Sequence, residues 1–265
     1  MDHAAVLALF DRQMRLDAPP DGPGVRVERT GGVVRQVGAD GDWNGVVWSG
    51  LDKDTADAAI AEQVRYFGAL GREFEWKLYA HDGPADLAAR LLAAGFTPEP
   101  DETLMIARIS DLPTGTSTGT ALPEGVRLEP VTGAAGADLV MDVHDQAFGT
   151  SSSRLRQQVL GQLTKNPDTV SVVVAMAGEV PVCAARMELH PGTDFAGLWG
   201  GGTVPAWRGR GVYRALVGHR ASIAATHGYR FLQVDASSQS RPILERLGFA
   251  ALSTTTPYVY RTPQA

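Results

Sequence analysis

Gly201-Gly202-Thr203-Val204-Pro205-Ala206-Trp207-Arg208-Gly209-Arg210-Gly211-Val212-Tyr213-Arg214-Ala215-Leu216 is the stretch that decides the fold. A strand runs into a tight arginine-glycine turn, and the turn opens a helix. Glycines at 209 and 211 let the backbone take conformations closed to larger residues and approach a ligand closely. The first turn of a helix offers unpaired N–H groups and the positive end of its dipole, which together favour a phosphate or pyrophosphate. Arg208, Arg210 and Arg214 add full charges, and the guanidinium fork matches phosphate oxygens. A Walker loop is excluded because no Gly-Lys-Ser/Thr triplet occurs. A dinucleotide fingerprint needs a third glycine where Arg214 stands. The plain alternative is a glycine-rich turn carrying solvated arginines.

Outward from this loop, the surrounding half alternates strands and helices. Val126 to Val131 alternates like a strand, and helices are expected from Ala135 to Phe148 and from Ser153 to Leu163. The β-branched run Val170 to Ala175 reads as a strand. A hairpin turn at Ala177-Gly178-Glu179 leads into Pro181 to Leu189, and a second turn at His190 to Asp194 precedes Phe195 to Val204. The helix opened by the loop runs to Gly228, followed by a strand Phe231 to Asp235. A helix through Pro242 to Arg246 then ends at Leu247-Gly248-Phe249, with a last strand near Tyr258 to Arg261. The order β-α-α-β-β-β-α-β-α-β predicts a mixed sheet with helices packed against it.

Leu112 to Pro123 is rich in Gly, Thr and Pro, has no hydrophobic period and reads as a linker. It predicts domains at 1–111 and 124–265, joined by 112–123. The first half repeats part of the second: strand Phe74 to Tyr79, helix Ala85 to Ala94, then Gly95-Phe96 and a strand Leu104 to Arg108. Such an echo suggests duplication. Its preceding helix, Thr55 to Leu70, starts at Leu51-Asp52-Lys53-Asp54-Thr55 with an aspartate N-cap and no glycine pair. An acidic helix start repels phosphate, so the first half is expected to lack a cofactor site.

The 265 residues carry 44% hydrophobic and 20% charged side chains, enough to bury a core. A net charge of −6 argues against a nucleic-acid binder, but a local arginine cluster still suits an anionic ligand. Cys183 is the only cysteine, which rules out an intrachain disulfide and a CxxC site. No signal-peptide pattern and no membrane-length apolar run are present, so a cytoplasmic protein is expected. No histidine pair has ligand spacing, and no metal site is expected.

The arginine-glycine loop resembles the acetyl-CoA motif of the GNAT superfamily of N-acetyltransferases, Gln/Arg-x-x-Gly-x-Gly/Ala. Leu244-Glu245-Arg246-Leu247-Gly248-Phe249 is similar to that family's Tyr-Glu-Lys/Arg-Leu-Gly-Phe run. The resemblance covers the second half; the first half shares only its Gly95-Phe96 region. It implies an α/β protein of two GNAT-like units, each a mixed, mainly antiparallel sheet flanked by helices, the first one degenerate. It further implies that backbone groups of Gly202, Thr203 and Val204 pair with the pantetheine arm of acetyl-CoA. Amides of Gly209, Arg210, Gly211, Val212, Tyr213 and Arg214 would hold the pyrophosphate together with Arg208. Ser237 falls where the family often has a cofactor-contacting asparagine. Two positions depart from the pattern. Tyr213 replaces a small residue, and Leu244 stands where a tyrosine commonly protonates the departing thiolate.

The reaction so implied is attack by an amine on a thioester, which needs a base. A backbone N–H near Val204 is a candidate to polarise the thioester carbonyl. The strand Phe195 to Val204 holds no glutamate, which leaves Glu188, His190, Asp194 and Asp235. Glu188 ranks first, because a mid-strand carboxylate is costly to bury without a use; the alternative is an outward, solvated side chain. Asp235 is the second carboxylate, with a helix N-cap as its alternative. Tyr258 and Tyr260 lie on one face of the last strand and are candidate acids, or packing aromatics. Trp199 and Trp207 could line a pocket, or simply pack. Cys183, between Val182 and Ala184, reads as a buried structural thiol. The expected activity is acetyl transfer from acetyl-CoA to a primary amine of a small molecule or an exposed amino group, with no nucleic acid or membrane partner. The alternatives are a non-catalytic CoA-binding regulator and an acyltransferase using a longer acyl or aminoacyl donor.

Overall fold

Asp2 opens the first helix, α1 (His3–Phe10), by accepting the Ala5 N–H at 3.1 Å, and a wider π-type turn carries the chain on through Asp11–Leu16. The computed structural model describes residues 1–22, 24–39, 42–112, 121–149 and 153–261. Residues 113–120, the greater part of the expected linker, lie outside them. The chain folds as two compact units. The first comprises Met1–Met105, Asp235–Pro242 and Ala251–Ala265, and the second comprises Ile106–Val234 and Ile243–Ala250.

In the first unit, β1 (Arg26–Thr30), β2 (Val33–Val37) and β3 (Gly45–Ser49) form an antiparallel meander. None of the three was expected, and β2 shows why: Arg35 and Gln36 break its apolar pattern yet are both buried. Arg35 is tolerated there because it donates to Glu28 and Gln63 and lies 3.3 Å above the Tyr66 ring. α2 (Ala56–Ala69) crosses to β4 (Phe74–Tyr79), which runs parallel to β3. The expected aspartate N-cap is absent: Thr55 is the N-cap of α2 and makes no side-chain cap, while the Asp52 carboxylate accepts the N–H groups of Asp54 and Thr55 in the turn before it. Then follow α3 (Leu87–Ala93), β5 (Thr97–Pro98) and β6 (Glu102–Arg108). The last strand of the chain, β12 (Ala250–Tyr260), pairs antiparallel with β4 from Thr255 to Tyr260 and with β5. It is several residues longer than its sequence suggests. Phe67, Phe74, Trp76 and Phe96 form the aromatic centre of this unit's core, with Phe67 stacked on Phe74 at 4.3 Å.

In the second unit, β7 (Val126–Pro130) is followed by α4 (Ala134–Phe148) and α5 (Ser153–Lys165). Next come β8 (Val170–Ala177), β9 (Val180–Leu189) and β10 (Phe195–Thr203). α6 (Val212–Thr226), β11 (Phe231–Ala236) and α7 (Arg241–Arg246) complete the chain order. β7, β8, β9 and β10 pair antiparallel in sequence, and β11 joins β10 in parallel. β11 runs on past Val234, where the first stretch of this unit ends. Inward valines and alanines of β8 and β9 pack with Val140 and Val143 of α4 and with Val212 and Leu216 of α6. Each unit is thus a mixed, mainly antiparallel sheet with flanking helices, and both place one parallel strand pair after an antiparallel run.

Candidate functional site

The parallel pair of the second unit is short. β10 and β11 are in register at Phe195–Phe231, Ala196–Leu232 and Gly197–Gln233, and from Leu198 onward they part. On its other edge β10 stays paired to β9, but Trp199 faces Arg186 and Gly202 faces Ala184, so β10 carries one extra residue, a bulge at Gly200-Gly201. A bulge bends the strand and leaves backbone groups unpaired. Packing is tight here: a Cβ on Gly202 would lie 2.8 Å from the Phe148 ring, and one on Gly201 2.7 Å from the Tyr213 ring. Tyr213, which stands in place of a small residue, thus packs against the bulge.

Beyond the bulge, the Val204 N–H is committed to the Val182 carbonyl at 3.0 Å, so a thioester-polarising N–H near Val204 would have to come from a neighbouring residue. Arg208 donates to the carbonyls of Thr203 (3.2 Å) and Ala147 (2.9 Å), fastening the loop to the end of α4. Gly209 and Gly211 have φ of 75° and 85°, the left-handed region that disfavours any side chain. The α6 start has no side-chain cap, so its first-turn N–H groups, including those of Val212, Tyr213 and Arg214, face outward with the helix dipole behind them. Arg210 lies 4.7 Å over the Trp207 ring, and Arg214 is exposed on the first turn. The free strand edge, the bulge and an uncapped cationic helix start form a continuous path. A pantetheine arm ending in a pyrophosphate fits these residues, with Arg208 serving as a strut.

One face of the same sheet is polar at the point of parting. Glu188, Gly197 and Gln233 stand side by side across β9, β10 and β11. Glu188 is buried; its Oε1 accepts from Gln162 of α5 at 2.7 Å and lies 3.3 Å from Arg186. Gln162 in turn accepts from Arg186 at 3.1 Å, closing a three-residue ring. Arg220 of α6, itself buried, holds the Arg186 carbonyl at 3.1 Å. Around Gly197, three polar atoms converge where a Cβ would be: Trp199 Nε1 and Gln233 Nε2 at 2.9 Å and His190 Nε2 at 3.1 Å. Trp199 Nε1, His190 Nε2, Gln233 Oε1 and Arg186 Nε are buried without a hydrogen-bond partner among the described residues. Burial lowers the His190 pKa against the opposing pull of Glu188, so the imidazole is neutral at pH 7 and Nε2 is free to accept a proton or donate one.

Beside this row, α4, α5 and the sheet enclose a cavity of about 240 Å³. Val140, Val143, Phe148, Leu155, Val159 and Val172 form its apolar walls. His144, Arg186 and Trp199 are its polar side chains, and Gly200 of the bulge and Gly202 just after it lie on its rim. Arg186 and Gln162 escaped the sequence reading, because only strand register and the seating of α5 bring them to Glu188.

The remaining expected residues lie elsewhere. Asp235 belongs to the first unit, where its carboxylate is ion-paired with Lys77; it is neither an N-cap nor an open base. Ser237 is in the first unit too, and its Oγ accepts the Ser240 N–H ahead of α7, a capping role. Tyr258 is buried in the first unit's core, with Tyr260 packed against Phe74 and Phe96. Leu244 is fully buried. Cys183 is buried beside Thr203, and burial pushes its thiol up to about 11, so it stays protonated. No cluster of metal-ligating side chains occurs among the described residues.

The first unit repeats the parting of parallel strands. β3 and β4 pair only at Gly45–Glu75 and Val46–Trp76, and β3 carries its own extra residue at Val47. Here the opening is filled. Arg15, from the π-type turn after α1, donates to the Val47 carbonyl at 3.0 Å and to both oxygens of Asp82 at 2.6–2.8 Å. Its guanidinium lies 3.9 Å over the Tyr79 ring.

No protein-family model matches the chain, and no curated protein matches it. Solved structures do match. A GCN5-related N-acetyltransferase from Kribbella flavida superposes with a TM-score of 0.67 at 18% identity, over 99% of this chain and 95% of that one. A conserved protein of unknown function from Staphylococcus epidermidis has a TM-score of 0.67 at 12% identity, over 93% and 96%. A tandem GNAT protein from the clavulanic acid biosynthesis pathway, solved without acetyl-CoA, has a TM-score of 0.64 at 13% identity, over 93% and 86%. At such identities the likeness establishes the fold. This chain carries the GNAT fold in two units, as the Arg208–Tyr213 and Leu247–Phe249 motifs imply.

Proposed function

We propose that the second unit is an acyl-CoA-dependent N-acyltransferase that moves an acetyl group from acetyl-CoA to a primary amine. The observation that carries this reading is the path from the parting of β10 and β11, along the bulge, to the uncapped start of α6. That path offers strand backbone for a pantetheine arm and uncapped helix-start amides for a pyrophosphate. Gly202 and Thr203 offer backbone to the arm, and the amides from Gly209 to Arg214, with Arg210 and Arg214, hold the pyrophosphate. Acetyl-CoA supplies an activated carbonyl whose sulfur is the leaving group.

Glu188 is the proposed base: with Gln162 and Arg186 both on Oε1, Oε2 remains to take a proton from the incoming ammonium. His190 lies two residues further on, neutral and unpartnered at Nε2, and relays that proton or orients the amine. Leu244 has no proton to give where the family commonly has a tyrosine, so solvent protonates the departing sulfur. The first unit is proposed to hold no cofactor, because Arg15 fills the equivalent opening and the Asp52 carboxylate lies in the turn that leads into α2. The chain's only cysteine, Cys183 of the second unit, is buried and suits a protein of the cytoplasm, and no helix among the described residues is long and apolar enough to cross a membrane.

Calorimetric titration with CoA and acetyl-CoA, followed by thiol release with an amine panel, tests the reading. Binding with thiol release supports it. Binding without release on any acceptor favours a CoA-sensing regulator, and release only with longer acyl-CoAs moves the donor assignment.

A further inference from the structure

The cavity under α4 and α5 says what kind of amine this site takes. Its walls come mostly from valine, leucine, alanine and phenylalanine side chains; the polar side chains that line it are His144, beside Phe148, and Trp199 and Arg186, the last of which links it to Glu188. Phe148 stands on the rim with 51% of its surface exposed, a large apolar side chain facing water beside the opening. Gly200 and Gly202 place the rim on the bulge. At about 240 Å³ the space exceeds the roughly 150 Å³ that suffices to enclose a benzene ring.

A polyamine, an amino sugar or a lysine zwitterion would bring several charged or hydroxyl groups against walls whose polar side chains are limited to His144, Arg186 and Trp199, and each group left unpaired there is costly to bury. We infer that the acceptor is a primary amine with a single aromatic or branched-alkyl body, the body seated among Val143, Val159 and Phe148 and the amino group at Glu188. This rests on the acyltransferase reading above. Glu188 takes one proton from the ammonium, and the amine nitrogen bonds to the thioester carbonyl carbon. The carbon–sulfur bond then breaks, and the second nitrogen proton is lost as the sulfur gains one from solvent. Apolar walls assist the first step, because they disfavour the charged ammonium over the free amine.

Two readouts separate this inference from the one beneath it. With acetyl-CoA, kcat/KM for 2-phenylethylamine and isopentylamine is expected to exceed that for spermidine and lysine at least about tenfold. Titration with 2-phenylethylamine alone should show binding that Val143→Phe, which fills the cavity, weakens about tenfold or more while CoA affinity is kept. If Val143→Phe does not fold, Phe148→Asp at the exposed rim makes the same test. A preference for spermidine or lysine with intact CoA binding overturns the substrate class and leaves the acyltransferase reading standing. Absent CoA binding overturns that reading, and failure of 2-phenylethylamine to bind overturns the inference in either case.

Discussion

Arg15 Nε–H points at the carbonyl of Val47, 3.0 Å away, the residue by which β3 bulges. One side chain thereby fills the place that stays open beside Gly200-Gly201 in the second unit. Arg15 also neutralises Asp82, whose side chain is only 4% exposed.

Arg15→Ala strands Asp82 without its cation, and loss of one partner of a buried pair costs about 3–5 kcal/mol. A urea titration of the whole chain should show the drop as an earlier midpoint of the first unit's transition. Arg12→Ala, on the same turn but outside the cluster, serves as the control.

Glu102 supplies a pH dependence. Burial raises its pKa from 4.5 to about 7; Lys77 opposes the rise, while Asp235, Glu75 and Glu99 add to it. Between pH 4.5 and 7 the folded chain therefore holds a proton that the unfolded chain has lost. By linkage, this group's contribution to stability is full below the unfolded pKa and falls as pH rises through that window. Glu102→Gln should flatten the slope of stability against pH there, as read from denaturation midpoints at half-unit intervals.

Arg210→Glu sets a negative charge at the α6 start and should weaken CoA binding by at least about tenfold, with unfolding temperature nearly unchanged. Gly211→Asp should do the same and also lose about 1–2 kcal/mol of stability, because its φ of 85° strains any side chain. Unchanged CoA affinity in Arg210→Glu removes the central support for the proposed cofactor site.

Glu188→Gln should lower kcat/KM by roughly 10²- to 10⁴-fold, leave CoA affinity within about twofold and abolish the acid limb of the pH–rate profile. His190→Asn gives the complementary measurement. If it removes the limb and Glu188→Gln does not, the base is the imidazole.

Gly197→Ala would push a Cβ within 2.9 Å of Trp199 Nε1 and Gln233 Nε2. Both belong to packed side chains, so overpacking of about 1–3 kcal/mol is expected, along with loss of turnover. Circular dichroism melts and steady-state rates would separate the two effects.

Legibility in the sequence tracked how local each signal was. The α6 entry was readable because Arg208-Gly209-Arg210-Gly211 encodes its own backbone geometry. β2 was not, because Arg35 is a core residue only by virtue of Glu28, Gln63 and Tyr66, which the pattern of five residues does not contain. β12 was cut short because Ser253 to Thr256 reads as polar, although Thr255 is fully buried. Glu188 was identifiable as an unusual carboxylate, but its bond to Gln162 depends on how α5 sits over β9. Asp235 was misread for the same reason: its partner, Lys77, is 158 residues away.

The pairing of β12 with β4 also sets an order of events during synthesis. Units normally fold as they leave the ribosome, the earlier one first. Here the earlier unit still lacks the strand beside β4 until Ala250–Tyr260 has been translated. Nascent chains halted shortly before that segment should therefore leave β4 with an open edge, the condition that invites chaperone capture or aggregation.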